Sequence, residues 1–123
     1  MATRSQSTGG TRVLMRHVDF LVLAALGDEC LHGYGIVRAI ARLTDGRMSL
    51  RPGDVYRVLY RMQRRGLLEP AERRPAPESG AKRRTYYRLT ARGERVAAEE
   101  AELMSTVAEQ LLARAGKRIE SAS

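Results

Sequence analysis

The sequence predicts a mainly α fold with a small β-hairpin (α+β), and three observations predict it. Apolar residues recur at helical spacing in three successive segments of the first half. The period then switches to two between Leu67 and Thr90, around a Pro/Gly/Ser loop, and a last segment returns to helical spacing with acids over much of its remaining surface. At 123 residues there is room for one modest core, and 43% hydrophobic with 29% charged residues is the balance of a folded globular chain.

Met1 to Gly10 (MATRSQSTGG) has small polar residues and no apolar periodicity, which predicts a disordered tail over 1–10. From Thr11 to Leu26, Val13, Leu14, Val18, Leu21, Val22 and Ala25 keep helical spacing, and Gly27 stands where a helix stops. Tyr34, Ile36, Val37, Ile40, Ala41 and Leu43 predict a second helix from about Gly33 to Thr44, ahead of a Thr-Asp-Gly turn. The third starts near Pro52, with Asp54 as a capping carboxylate at the positive end of the dipole, and ends at Gly66. Steps of three and four put Val55, Val58, Leu59 and Met62 on one face, and Arg57, Tyr60, Arg61 and Arg64 on the other.

Leu67 to about Glu72 reads as an edge strand, because Pro70 has no N–H to give a ladder. Arg73 to Lys82 is the loop, and Arg83 to Thr90 the partner strand with Thr85, Tyr87 and Leu89 on its inner face. Thr90 caps a last helix over 91–116 with Val96, Leu103, Val107 and Leu111 as its apolar stripe, and 117–123 is expected to fray. Three helices, a hairpin and a final helix make a winged helix-turn-helix over 11–90 followed by a C-terminal helix.

With 22 Lys+Arg against 14 Asp+Glu the net charge is +8, which points to a polyanionic partner. Between Arg47 and Arg88 stand twelve of the basic residues and four acids, so this third of the chain holds the whole excess. No apolar run approaches the ~20 residues of a membrane span. Asp28 and Glu29 stand where a processed leader needs small residues, and a lone Cys30 builds neither a disulfide nor a cysteine metal site, so a cytoplasmic chain is expected. His17, His32 and Cys30 lack ligand spacing, so no metal or other cofactor is expected. No nucleophile and base with motif support are found, and no enzymatic activity is expected.

A winged fold sets the third helix beside the hairpin tip, the two elements that carry the charge. A helix enters the DNA major groove, about 12 Å wide. Arg57, Tyr60, Arg61 and Arg64 are therefore expected to read bases, and Arg51, Tyr56, Arg74, Lys82, Arg83 and Arg84 to meet phosphates. The stripe on the last helix has no cover in so small a monomer and is expected to bury against a second copy. The alternative is a protein-interaction module whose basic winged-helix face docks an acidic partner.

Four segments in order, Leu31-His32-Gly33-Tyr34-Gly35-Ile36, Pro52-Gly53-Asp54-Val55-Tyr56-Arg57-Val58-Leu59, Arg65-Gly66-Leu67-Leu68 and Tyr86-Tyr87-Arg88-Leu89-Thr90 with Gly93, resemble the PadR family of bacterial transcriptional regulators. The resemblance runs roughly from Val18 to Leu112 and is to the compact branch with a single C-terminal helix. It implies a homodimeric cytoplasmic repressor of double-stranded DNA, relieved by an effector. The last helix would pack on its twofold mate and on the partner's first helix, joining Val13 and Leu14 to Val96, Leu103, Val107 and Leu111.

Two departures from the family pattern stand out. Asp54 replaces a common Ser or Thr, and Arg57 replaces Pro, so a different base preference is expected, with Arg57 able to meet guanine bidentately and Asp54 outside the contact set. Relatives that stack flat aromatic ligands use a Trp of the last helix, whereas this chain has no Trp and no aromatic after Tyr87. The sequence names no effector.

Overall fold

The computed structural model describes residues 15–71 and 84–122. Its elements are α1 (His17–Ala25), α2 (Gly33–Leu43), α3 (Pro52–Arg64), β1 (Leu68–Ala71), β2 (Tyr86–Leu89) and α4 (Ala91–Ala122). The apolar faces of α1, α2 and α3 converge in one core of Val22, Leu23, Leu26, Ile36, Ile40, Val55, Leu59 and Met62, closed by Leu67 and Leu68 at the entry to the hairpin. Each such side chain contributes about 1.5–3 kcal/mol when fully buried. The third-helix pattern holds, whereas Tyr34 and Leu43, counted on the apolar face of the second helix, are exposed at its two ends.

Side chains set the starts of α1 and α2. The Arg16 N–H donates to Asp19 Oδ2 at 3.2 Å, and the Gly35 N–H donates to His32 Nδ1 at 3.1 Å. The predicted helix over 11–26 begins at His17 among the described residues, and Val13 and Leu14 lie outside them. Between α2 and α3, Asp45 (φ 53°) and Gly46 (φ 78°) take the left-handed conformation that reverses the chain. The Thr44 hydroxyl braces this turn, donating to the Ile40 carbonyl at 2.9 Å and accepting from the Met48 N–H at 3.1 Å. Asp54 was expected to cap α3, but Arg51 is the N-cap, with no side-chain cap bond, and the Asp54 carboxylate turns to Arg57 instead.

β1 and β2 pair antiparallel with Leu68 opposite Leu89 and Pro70 opposite Tyr87. Tyr87 bonds the other way: its N–H donates to the Leu31 carbonyl at 2.9 Å and its carbonyl accepts from the Leu31 N–H at 3.1 Å. Pro70 thus faces a residue whose backbone groups point away, and its missing N–H costs the ladder nothing. β2 starts at Tyr86, so Thr85, expected on the inner face, is exposed, while Tyr87 and Leu89 pack on the core.

One junction ties the hairpin to α4. Gly66 (φ 77°) turns the chain out of α3. The Thr90 hydroxyl donates to the Gly66 carbonyl at 2.7 Å and caps α4 by accepting from the Gly93 N–H at 2.9 Å. α4 lies so close that a Cβ on Gly93 would sit 1.9 Å from the Leu67 carbonyl oxygen. Val96, expected on the dimer stripe, packs on the core of its own subunit. The helix passes its predicted end and runs to Ala122, about 48 Å at 1.5 Å per residue. Leu103, Val107 (53%) and Leu111 (56%) lie exposed along it.

Gly93→Ala is expected to lower stability by about 3 kcal/mol, since backbone must move to admit the methyl. Gly116→Ala, in open space on the same helix, should raise it by about 0.5–1 kcal/mol. Urea midpoints of the two variants check both signs.

Candidate nucleic-acid interface

At 3.6 residues per turn, burial of Val55, Val58, Leu59 and Met62 puts Gly53, Arg57, Tyr60 and Arg64 at the centre of the outward face of α3. Tyr60 is 65% exposed, and Arg57 and Arg64 are exposed beside it. An open depression of about 760 Å³ follows this face, lined by Tyr56, Arg57, Tyr60, Arg61, Arg64 and Arg65. The Arg64 guanidinium lies 5.6 Å from the Tyr60 ring centroid, with Nη1 3.4 Å from the hydroxyl, so the two side chains hold each other outward.

Arg61, expected among the base readers, is turned to the flank of this face. Its guanidinium donates to Asp19 Oδ1, and Asp19 is only 2% exposed. The same carboxylate caps α1, so Arg61 belongs to the frame that sets α3 against α1. Arg57 also meets a carboxylate, that of Asp54, yet its side chain stays 73% exposed. Arg57, Tyr60 and Arg64 therefore share one free face, and Arg61 stands beside it.

The residues expected on phosphates divide differently. Arg51 is exposed at the start of α3. The Tyr56 ring lies across the first turn of α2, where a Cβ on Gly33 would come within 2.5 Å of its Cζ and hydroxyl. Arg84, just before β2, is exposed beside the start of α2. Arg74, Lys82 and Arg83 lie outside the described residues.

The start of α2 adds groups that sequence reasoning missed: His32, Tyr34 and Arg38. Arg84 Nη1 stands 3.1 Å from His32 Nε2, and its guanidinium 5.9 Å from the Tyr34 ring centroid. His32 Nδ1 already accepts from Gly35, so the neutral ring carries its proton on Nε2, where it meets another donor. Arg84 is exposed where it lies between the His32 ring edge and the Tyr34 ring. Burial, then Arg84, then Arg38 hold the His32 pKa below the ordinary histidine value. Tyr34 and Arg38 are four apart and share a helix face, a spacing that could have marked them.

A model of the transcriptional regulator PadR-like family matches residues 22–99. The chain belongs to this family. The match to this PadR-like family takes in the end of α1, α2, α3, the hairpin strands and the first turns of α4. The chain is similar in structure to a transcriptional regulator from Clostridium thermocellum, at 21% identity and a TM-score of 0.63, covering 90% of this chain and 95% of that one. It is similar to Bacillus subtilis PadR, solved in complex with operator DNA, at 19% identity and a TM-score of 0.59, covering 72% of this chain and 48% of that one. A PadR family regulator from Clostridium difficile R20291 is 25% identical with a TM-score of 0.58, covering 79% of this chain and 99% of that one. An uncharacterized 37.1 kDa protein in transposon TN4556 of Streptomyces fradiae is 41% identical over 54 residues, 44% of this chain, and the chain spans 15% of that protein's length. The structural likenesses support the winged helix-turn-helix, and no helix among the described residues is long and apolar enough to cross a membrane.

Protonating His32 would break its bond from Gly35 and set a cation beside Arg84. The folded state therefore takes up this proton at lower pH than the unfolded chain. Its contribution to stability is expected to be full above the ordinary value of 6.5 and to fall as pH drops through the lowered folded value. His32→Asn, whose amide oxygen can still accept from Gly35, should flatten that decline in urea midpoints measured against pH. An unchanged decline would remove His32 as its source.

Proposed function

We propose that this PadR-like regulator is a homodimeric, cytoplasmic repressor that binds double-stranded DNA through the outward face of α3. The observation that carries the reading is the shared exposure of Arg57, Tyr60 and Arg64 opposite the buried face of the same helix. A helix presenting two guanidiniums and a phenol fits the major groove, where arginine meets the N7/O6 edge of guanine. Arg51 and Arg84 flank that face and serve the phosphates, joined by Arg74, Lys82 and Arg83 from the wing. That the Bacillus subtilis relative was solved in complex with operator DNA supports DNA as the partner.

The second copy covers Leu103, Val107 and Leu111, which the monomer leaves exposed on a helix projecting from its body. Large apolar side chains in such a row bury best against their own twofold image. Val13 and Leu14 of the partner complete that contact. Two α3 helices so joined read inverted half-sites about 34–36 Å apart. An unidentified effector relieves repression, and it finds no aromatic residue on α4 to stack against.

Arg64→Ala is expected to lose about 1–3 kcal/mol on a duplex selected from a random library and much less on a scrambled one. Equal losses on both would remove its base-reading role. Arg84→Ala should make the plot of log K against log salt shallower by about 0.9, and an unchanged slope would place Arg84 away from phosphate. Leu111→Lys should turn a dimer into a monomer in sedimentation, and a dimer that persists would move the interface off α4.

A further inference from the structure

Asp54 is the single acidic residue in α3, and it stands at the edge of the face that bears Arg57. Its side chain is 44% exposed, and its Oδ1 accepts from Arg57 Nη2. An exposed ion pair three residues apart adds little to helix stability. On a surface that meets phosphate, a carboxylate weakens the attraction common to all DNA sequences. Its effect is thus to be sought in discrimination between sequences.

The chemistry of the pair fits such a use. A guanidinium carries five N–H donors in a plane, and Asp54 engages one nitrogen, Nη2. The Nη1 edge and the second Nη2 hydrogen remain to meet the N7 and O6 acceptors of guanine in the same plane. A carboxylate at this distance also narrows the rotamers open to an otherwise flexible, exposed arginine, so less freedom is lost on binding.

We infer that Asp54 and Arg57 form one specificity-determining unit, in which Asp54 presents the Arg57 guanidinium to a guanine of the half-site and keeps it from settling on phosphate. Asp54 is here a positioning residue, and Arg57 makes the contact. The inference rests on the DNA-reading function proposed above and adds to it a guanine opposite Arg57.

The test starts from a duplex selected by the wild-type chain from a randomised library. Wild type, Asp54→Asn, Arg57→Ala and the double variant are titrated against that duplex and against versions with each G·C pair changed to A·T, over a series of salt concentrations. One G·C pair should be preferred by about tenfold in the wild type and by none in Arg57→Ala. Asp54→Asn should bind scrambled DNA as well as or better than wild type, keep about threefold preference at that pair, and steepen the salt slope by about one as Arg57 turns to phosphate. In the Arg57→Ala background the same change should move discrimination less than twofold, and Asp54→Glu should recover part of it. Arg57→Lys, which keeps the charge and loses the planar edge, gives a second route: preference lost, salt slope kept. The unit is overturned if Asp54→Asn weakens all duplexes alike, retains full discrimination, or acts equally without Arg57. A wild type whose chosen site ignores Arg57→Ala overturns the unit and leaves DNA reading by Tyr60 and Arg64 standing. A wild type that selects no duplex overturns both.

Discussion

A buried carboxylate sets the rotation of the outward-facing helix. Asp19 takes the Arg61 guanidinium on one oxygen and the Arg16 N–H on the other, joining the first turn of α1 to the last turn of α3. Breaking such a pair leaves an uncompensated charge in the interior, at a cost of about 3–5 kcal/mol. With Arg61 committed to α1, a helix of 3.6 residues per turn has no choice about its other positions. Arg57, Tyr60 and Arg64 must point away, and Val55, Leu59 and Met62 must point in. The outward face of α3 is thus a consequence of an interaction that does not belong to it.

The second constraint is the junction of Gly66, Leu67, Thr90 and Gly93. Here the end of α3, the hairpin and the first turn of α4 share hydrogen bonds within a few ångströms. The absence of a Cβ on Gly93 lets α4 lie directly on the Leu67 carbonyl. The start of α4 and the segment that leaves α3 are therefore in direct backbone contact. The exposed row Leu103, Val107 and Leu111 is held at a set angle to Arg57 and Arg64 by this contact.

Much of this was legible because it is local. The apolar steps of α3 and the capping of α4 by Thr90 each depend on residues a few places apart. Other features were hidden for the opposite reason. Arg61 looked like its neighbours Arg57 and Arg64, since the carboxylate that claims it lies 42 residues earlier in the chain. Asp54 looked like a cap, since a dipole argument cannot see that Arg57 competes for the same oxygen. Val96 shares the heptad-like row of Leu103 and Val107, yet its turn still lies against the core.

By itself the amino-acid order determined the elements, their apolar faces and the placing of the entire net charge between Arg47 and Arg88, because periodicity and composition are properties of neighbours along the chain. Tertiary structure decided which of those charges remain available. Whether an arginine is spent on a carboxylate, a tyrosine or solvent depends on what packing brings within hydrogen-bond reach. That is why Asp19 and Arg61 became part of the frame, while Arg57, Tyr60 and Arg64 were left on the surface.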